Sequence, residues 1–338
     1  MKQNHGGYRV AGRLALVAAS IVVTLGAMEF GVRFVLAHYL NPFEPDATVG
    51  YRLKANFSGR YPWVPVRTDD HGFRVPTAQP PASKGTILFV GDSVTFGFGI
   101  LADDSYPTLF AKRIGRAGDV MNAAVPGYNL GQVIGTIQRF VQEHGKPELV
   151  VYGLCLNDIS AAEHPSSYED IDPHAIRSRQ GGLLSSSMLL SVLSRRLQKL
   201  STPAASGPPD NKESLLKDFS PSEIRTQLAG FDREWSDLER VQQTTGVPIA
   251  VVVLPFRQQI EQHPDWRAPQ EYMRQKCAAT QLRCLDPWEM LREHRTEELY
   301  TATSSMHFSP GGSRLLADWL AESLRDTLNT PLARRPAR

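Results

Sequence analysis

Short apolar runs alternate along the chain with segments in which apolar residues recur every three to four positions. Unbroken apolar runs are typical of strands covered on both faces, and they occur at residues 86–90, 120–125, 148–154, 248–254 and 283–285. Helical periodicity follows each run, at residues 106–114, 131–144, 221–245, 269–280 and 310–328. This alternation predicts an α/β fold, a three-layer α/β/α sandwich around a parallel sheet.

The N-terminal region carries a different pattern. Residues 14–28 have no charge, and three basic residues precede them: Lys2, Arg9 and Arg13. A helix over 14–37 is long enough for a bilayer core of about 30 Å, and Glu29 and Arg33, four apart, can pair on it. The basic residues place the N-terminus in the cytoplasm, which predicts a single-pass inner-membrane anchor with the remaining chain in the periplasm. A cleaved signal peptide and a buried soluble helix are the alternatives.

We expect four parts in the chain: a cytoplasmic tip and transmembrane anchor (1–40), an irregular linker (41–84), the α/β domain (85–330) and a tail (331–338). Residues 178–219 interrupt the domain's alternation and are interpreted as an insertion.

The linker and the insertion each contain a further sequence pattern. The linker is rich in Pro and Gly, which predicts irregular backbone with a short hairpin around 61–67 and a boundary at Pro80-Pro81. The insertion contains an amphipathic stretch at 185–200. It is interpreted as a helix packed on the domain and followed by a loop, or as a lid or membrane-surface helix.

Composition narrows the classes of function. The net charge is +2, so nothing in the totals indicates nucleic-acid binding. Cys155, Cys277 and Cys284 are too few for a disulfide-dense scaffold and wrongly spaced for structural zinc. In an oxidising compartment Cys277 and Cys284 could pair, which the sequence leaves open. Because there is no metal-ligating motif and no phosphate-binding glycine loop, no metal or cofactor is expected.

Four short motifs lie where predicted strands end or where the last helix begins: GDSVTFG at 91–97, NAAVPGYN at 122–129, GLCLND at 153–158 and MHFSPGG at 306–312. Open α/β sheets bind ligands at the carboxyl edge of the strands. Ser93 follows the first strand on a tight turn, where a hydroxyl can act as nucleophile. Asn157 can donate to an oxyanion, and His307 can exchange a proton with a nearby serine.

In order and spacing these motifs resemble the SGNH/GDSL hydrolase superfamily over roughly residues 84–330. The resemblance implies a flavodoxin-like fold, Ser93 as nucleophile and His307 as base. It also implies an oxyanion hole made of the Ser93 N–H, the Gly127 N–H and the Asn157 side chain, with supporting positions at Asp92, Asp158 and Ser304. The membrane helix and the stretch DHGFR at 70–74 resemble a membrane-anchored bacterial subgroup.

One position departs from the superfamily's pattern. An Asp usually stands three residues before the histidine, and here that residue is Ser304. Three hypotheses follow: a backbone carbonyl orients His307; another carboxylate does so, from among Asp69, Asp70, Asp286 and Glu298; or the site is weakened.

A rival histidine lies upstream. Asp69, Asp70 and His71 form a D-x-H that resembles one found ahead of the serine in some polysaccharide O-acetyltransferases. We favour a simple turn before Gly72, with the catalytic D-x-H as the alternative.

The sequence therefore favours a serine esterase that removes O-acyl groups, O-acetyl foremost, from an envelope glycan or exopolysaccharide. The expected partners are an acylated carbohydrate or small ester, the inner membrane and the envelope polysaccharide machinery. The alternatives are an O-acetyltransferase with the same site, a lipid or thioester substrate, and a glycan-binding scaffold subunit. Tyr61, Trp63 and Tyr128 are candidates for stacking on sugars or for packing.

Overall fold

The computed structural model describes residues 5–37, 41–61, 63–78, 86–160, 165–168, 187, 189–190, 216–217, 222–295, 297–302 and 304–329. Its contacts divide the chain into two units. Met1–Asn41 with Asp172–Gly207 form one, and Pro42–Ile171 with Pro208–Arg338 form the other. The Pro80-Pro81 boundary, the tail and most of the 178–219 insertion lie outside the described residues.

In the first unit the structure describes one long helix, α1 (His5–Ala37), among the residues it covers. Its segment Gly12–Gly31 is long and apolar enough to cross a membrane by length and composition, with a mean hydropathy of 1.9 and no burial, although a signal sequence has the same properties. The carboxylate of Glu29 accepts hydrogen bonds from the Ser187 hydroxyl at 2.8 Å and the Leu189 amide at 3.0 Å. The expected pairing of Glu29 with Arg33 falls on a side chain outside the described residues.

The second unit is built on a sheet of five parallel strands. In chain order they are β5 (Ile87–Gly91), β6 (Val120–Asn122), β7 (Leu149–Cys155), β8 (Ile249–Leu254) and β9 (Arg283–Leu285). Their spatial order is β6-β5-β7-β8-β9, which is the flavodoxin-like order. The five predicted strands are therefore confirmed, with bounds that differ by a few residues.

Helices cover both faces of this sheet. The principal ones are α3 (Tyr106–Arg113), α4 (Leu130–His144), α6 (Ser222–Thr245), α7 (Ala268–Ala278) and α9 (Pro310–Ser323). The crossover from β5 to β6 and the crossover from β6 to β7 run in opposite directions along the sheet, and right-handed crossovers of opposite direction place their helices on opposite faces. Accordingly α3 packs with α9, and α4 packs with α6. The predicted three-layer sandwich is confirmed.

Shorter helices in the described part of the domain include α2 (Ser93–Phe96), α5 (Asn157–Ser160) and α8 (Trp288–Glu293). The last helix was predicted to run from 310 to 328. Instead α9 ends at Ser323, and a separate short helix follows at Arg325–Asn329. Helix α8 has six residues, too few for a periodic pattern to identify it.

The segment before the sheet is more ordered than the irregular linker we predicted. It forms two antiparallel hairpins, β1–β2 (Phe43–Asp46 with Gly50–Leu53) and β3–β4 (Ser58–Arg60 with Pro65–Arg67). The Asp46 carboxylate accepts hydrogen bonds from the amides of Thr48 and Val49, which closes the first turn. Phe43, Tyr51, Leu53 and Val66 are buried in the core. Only the second hairpin was anticipated.

Cys277 and Cys284 form a disulfide between the end of α7 and β9, with their Cα atoms 5.9 Å apart. Cys155, at the end of β7, is a buried free thiol. The pairing that the sequence left open is therefore present.

Candidate active site

The nucleophile turn (residues 91–100) carries Ser93 at the carboxyl end of β5. Asp92 caps α2, since its carboxylate accepts a hydrogen bond from the Val94 amide at 2.8 Å, and Gly97 ends the helix in a left-handed conformation. Ser93 opens the helix, where backbone amides have no intrahelical acceptor. The turn thus presents both the hydroxyl and the amide of Ser93 at the edge of the sheet.

Arg74, which sequence reasoning noted only as part of a motif, holds this turn in place. The residue is 3% exposed, and its guanidinium donates to the carbonyls of Phe96, Gly97 and Ile100. Burial lowers the pKa of Arg74 to about 10, so it stays charged at neutral pH. A buried arginine bonded to three carbonyls is a rigid support for the nucleophile.

Close packing behind the turn explains one of the motif glycines. Gly91 pairs with Gly153 across β5 and β7. A Cβ atom on Gly153 would lie only 2.1 Å from the Thr95 hydroxyl and 2.4 Å from that of Tyr106. Only glycine therefore lets α2 lie so close to the strand.

His307 meets Ser93 across this edge. Its Nε2 lies 2.8 Å from the Ser93 Oγ. His307 belongs to the histidine loop (residues 300–309), which leads into α9. Ser309 caps that helix through the Gly312 amide, and Pro310 occupies its first position. The structure thus brings together the serine and the histidine that the sequence singled out.

Ser304 occupies the position where the superfamily's pattern has an Asp. Its Oγ lies 2.9 Å from the His307 Nδ1 and accepts hydrogen bonds from the amides of Met306 and His307, both at 3.2 Å. The expectation that a backbone carbonyl or a distant carboxylate orients the ring is wrong, because a serine hydroxyl takes that place.

The four candidate carboxylates have other contacts. Asp69 accepts from the amides of His71 and Phe73, and Asp70 lies 3.4 Å from the His71 ring. Asp286 accepts from the Trp288 amide, and Glu298 lines a surface groove.

A hydroxyl differs from a carboxylate because it can both donate and accept. If Nδ1 donates to the Ser304 Oγ, Nε2 is unprotonated and can accept the Ser93 proton. If Ser304 donates to Nδ1, Nε2 carries the proton and cannot act as base. A carboxylate allows only the first arrangement. Ser304 therefore holds the ring in place but, unlike a carboxylate, does not enforce the tautomer that a base needs.

Burial lowers the pKa of His307 to about 4. The Phe98 ring packs against the imidazole, with the centroids 4.9 Å apart, and contributes apolar surface. His307 is thus neutral at pH 7, as a general base must be.

Arg257 supports the histidine loop from the end of β8. Its amide donates to the Ser305 carbonyl and its guanidinium to the Thr301 carbonyl, both at 2.7 Å. Sequence reasoning missed this residue, although its position just after a strand end was an available signal.

Gly127 and Asn157 also lie at the carboxyl edge. Gly127 follows β6 with a φ of +86°, a conformation that favours glycine. Asn157 opens α5 after β7, and its amide nitrogen lies 3.4 Å from an Asp92 carboxylate oxygen.

Two buried carboxyl groups lie behind the site. Burial raises the pKa of Asp92 to about 6, against the lowering effect of the Val94 amide. Asp158 accepts a hydrogen bond from the Tyr152 hydroxyl at 2.6 Å. Burial, and then the charge of Asp92, raise the pKa of Asp158 well above its ordinary value. Burial therefore disfavours the charged form of Asp158.

His71 takes no part in this arrangement. Its ring packs on His144, at the end of α4, with the centroids 4.2 Å apart, and on Phe73. The histidine bonded to Ser93 is His307, so the D-x-H interpretation is wrong. Among the described residues, no group of three His, Cys, Asp or Glu side chains could hold a metal ion.

A groove of about 830 Å³ lies beside the histidine loop. One wall holds Thr301 and Pro310, and the other holds Trp63, which is 77% exposed. Tyr128, by contrast, is buried, and Tyr61 packs edge-on against Phe98. Of the three candidate stacking aromatics, only Trp63 presents its face to solvent.

With this geometry in place, comparison with known families is informative. A model of the GDSL-like lipase/acylhydrolase family matches residues 89–315, which include Ser93 and His307. The chain belongs to this family. It is therefore an ester hydrolase of the GDSL/SGNH type. No curated protein matches it in sequence.

The solved structures that match this chain are distant. An acetylxylan esterase from Geobacillus stearothermophilus is 16% identical over 75% of this chain and 99% of its own, with a TM-score of 0.41. An esterase from Pseudoalteromonas is 15% identical over 73% and 100%, with a TM-score of 0.41. A lipolytic G-D-S-L protein from Veillonella parvula is 12% identical over 71% and 97%, with a TM-score of 0.42. Similarity this low says nothing about the substrate of this chain.

Proposed function

We propose that this GDSL-type hydrolase is a serine esterase that removes O-acyl groups, O-acetyl foremost, from an envelope glycan or exopolysaccharide. The contact of 2.8 Å between the His307 Nε2 and the Ser93 Oγ carries the proposal, because it joins a nucleophile to a neutral base at the carboxyl edge of the sheet.

The mechanism runs through an acyl-enzyme. His307 takes the hydroxyl proton of Ser93 as the oxygen attacks the ester carbonyl. The Ser93 N–H, the Gly127 N–H and the Asn157 amide hold the resulting oxyanion. His307 then protonates the departing sugar oxygen as the carbon–oxygen bond breaks, which leaves acyl-Ser93. Water, deprotonated by His307, releases the carboxylic acid by the same steps.

The supporting residues act through position. Ser304 keeps the imidazole facing Ser93, and Asp92 caps the helix that starts at the nucleophile. Asp158, which accepts a hydrogen bond from the Tyr152 hydroxyl, fixes the strand end next to Asn157. Because none of these supplies a carboxylate to His307, the imidazolium formed during attack has weaker stabilisation than in a Ser-His-Asp triad.

The groove beside the histidine loop supports a carbohydrate substrate. An exposed tryptophan offers a flat apolar face on which a sugar ring can stack. Asp104, Glu297 and Glu298 line the same groove, and none of its described lining residues is Lys, Arg or His. A groove with this charge favours a neutral or amino-bearing glycan over a polyanionic one.

Compartment is part of the proposal. The exposed apolar segment of α1 supports an uncleaved inner-membrane anchor, with the enzyme in the periplasm and within reach of the envelope polysaccharide machinery. The Cys277–Cys284 disulfide supports an oxidising compartment.

The full chain in detergent micelles allows a direct test. We expect hydrolysis of p-nitrophenyl acetate to exceed that of the octanoate ester, and Ser93→Ala to lower kcat by at least about 10³-fold without changing thermal stability. Trp63→Ala should lower kcat/KM about 10-fold for a neutral O-acetylated oligosaccharide and leave p-nitrophenyl acetate unaffected.

Two results would count against the proposal. If the folded wild-type protein turns over esters no faster than Ser93→Ala, the proposed esterase activity is wrong. If Trp63→Ala affects both substrates equally, the groove does not bind the glycan.

A further inference from the structure

Tyr51 reaches the candidate oxyanion hole from outside the region that the family model matches. It lies on β2, before residues 89–315. Its side chain is fully buried, and its hydroxyl donates to the carbonyl of Pro126 at 2.8 Å. This bond ties the first hairpin to the loop after β6.

The Pro126 carbonyl and the Gly127 N–H belong to one peptide group. Because that group is planar, a hydrogen bond at its oxygen also fixes the direction of its N–H. A bond to the carbonyl polarises the amide as well, and in a buried site this makes the N–H a stronger donor. Tyr51 thus acts on the amide through the peptide bond and not by touching the substrate.

Gly127 is shaped around this tyrosine. A Cβ atom at residue 127 would lie 2.6 Å from the Tyr51 hydroxyl oxygen. Together with the φ of +86°, this leaves glycine as the only residue that fits.

Tyr51 is itself held rigidly. The Tyr128 hydroxyl donates to the Tyr51 carbonyl, and the rings of Tyr128 and Phe43 pack edge-on against it at 5.2 and 5.6 Å. Burial raises the pKa of Tyr51 far above its ordinary value, so the hydroxyl remains a donor wherever the enzyme is folded.

We propose that Tyr51 is a positioning residue for the oxyanion hole, which aims and polarises the Gly127 N–H through its hydrogen bond to the Pro126 carbonyl. The proposal rests on the proposed function, which assigns that N–H to the oxyanion. It means that the segment before the family domain completes the catalytic machinery.

Tyr51→Phe removes only the hydroxyl. We expect kcat for p-nitrophenyl acetate to fall about 5- to 30-fold, less than the about 10²–10³-fold that loss of a whole oxyanion donor costs. KM should change less than about 2-fold, because the oxyanion forms only in the transition state. The rate at which an ethylphosphonate ester modifies Ser93 should fall in the same proportion, since its adduct places a P–O⁻ group in the same hole.

Tyr272→Phe is the control. The Tyr272 hydroxyl donates to the Asp232 carboxylate between α7 and α6, and neither residue belongs to the nucleophile turn, the histidine loop or the proposed hole. Each variant loses a hydrogen bond made by a tyrosine hydroxyl, and Tyr51→Phe also loses the contact with the Ser166 side chain. A merely structural role for Tyr51 would therefore give similar kinetics in the two.

A spectroscopic readout follows from the sequence. The chain has two Pro-Gly pairs, Pro126-Gly127 and Pro310-Gly311. Carbonyl-¹³C proline with ¹⁵N glycine therefore gives two correlated NMR signals in the full chain. Tyr51→Phe should shift the first and spare the second, whereas Tyr272→Phe should leave the first in place.

The outcomes separate the two proposals. Active wild-type protein with unchanged kcat, phosphonylation rate and Gly127 signal in Tyr51→Phe overturns the role of Tyr51 alone. The same kinetic loss in Tyr272→Phe overturns it as well. Wild-type protein that neither turns over esters nor reacts with the phosphonate overturns the proposed function, and the role of Tyr51 with it.

Discussion

The nucleophile turn and the histidine loop are supported in different ways. Arg74, buried and charged, bonds three carbonyls of the nucleophile turn. The histidine loop is held by the neutral Ser304 hydroxyl on the ring and by Arg257, whose side chain is 24% exposed, on the backbone. The comparison indicates that the position of His307 is retained while the usual electrostatic support for its charged form is absent. Changes on the two sides should therefore affect different quantities.

The largest effect on rate should come from His307→Gln. Glutamine keeps a polar side chain of similar reach but cannot accept the Ser93 proton, so kcat for p-nitrophenyl acetate should fall about 10³-fold or more, with KM nearly unchanged. Steady-state kinetics and a melting curve check this. A loss below 10-fold at unchanged stability would show that Ser93 has another base.

Arg74→Met should have the largest effect on stability. It leaves three carbonyls in a buried turn without their donor, and we expect the free energy of unfolding to fall by about 3–5 kcal/mol. Urea denaturation measures this change. Arg113→Met is the control, because Arg113 is mostly exposed and pairs with Asp318 on the surface, where a change of under about 1 kcal/mol is expected. Equal destabilisation by both variants would contradict the role of Arg74.

Arg257→Met should affect rate more than stability. Loss of the bond to the Thr301 carbonyl loosens the loop that aims His307, and we expect kcat to fall about 10-fold, because small misplacements are costly in catalysis. The control is Arg292→Met, whose guanidinium donates to the Ile260 carbonyl away from the loop. If the two variants have the same kcat, the loop does not depend on Arg257.

The part of this site that could be predicted from sequence is the part that lies at the carboxyl ends of the strands. Apolar runs located the five strands, and the motifs at their ends located Ser93, Asn157 and His307, because parallel strands bring their carboxyl ends to one edge. Tyr51, Arg74 and Arg257 could not be assigned. Each donates to a backbone carbonyl of a distant segment. Because every residue has such a carbonyl, the residue types in the sequence do not show which one is bonded.

The partner of His307 shows a second limit. Ser304 lies three residues before the histidine. Because it is not a carboxylate, the hypotheses from sequence named acids elsewhere in the chain. A hydroxyl at the same backbone position reaches Nδ1 at 2.9 Å, so the geometry survives the change of residue. The position of residue 304 in the chain predicted this contact better than the type of its side chain did.

Ser304→Asp should give the smallest change in rate and the clearest change in pH dependence. Burial holds the pKa of His307 at about 4, so kcat/KM in the wild type should fall only as the pH drops through about 4. A carboxylate beside Nδ1 favours the imidazolium, so the acid limb should move up by about 1–3 pH units. The plateau rate should rise several-fold, because a carboxylate accepts only from Nδ1–H and leaves Nε2 free for the proton.

Two controls identify the group that titrates. Ser304→Asn adds similar bulk without charge and should leave the acid limb near pH 4. Burial raises the pKa of Asp92 to about 6. Asp92→Asn should therefore move an acid limb found near pH 6 and leave one near pH 4 in place.

The free energy of unfolding should depend on pH through the same histidine. Because folding lowers the pKa of His307 from 6.5, its neutral form contributes stability above about pH 6.5 that is lost as the pH falls towards 4. Ser304→Asp should reduce that loss, and a pH-stability curve identical to that of Ser304→Asn would show that the new carboxylate does not reach the imidazole.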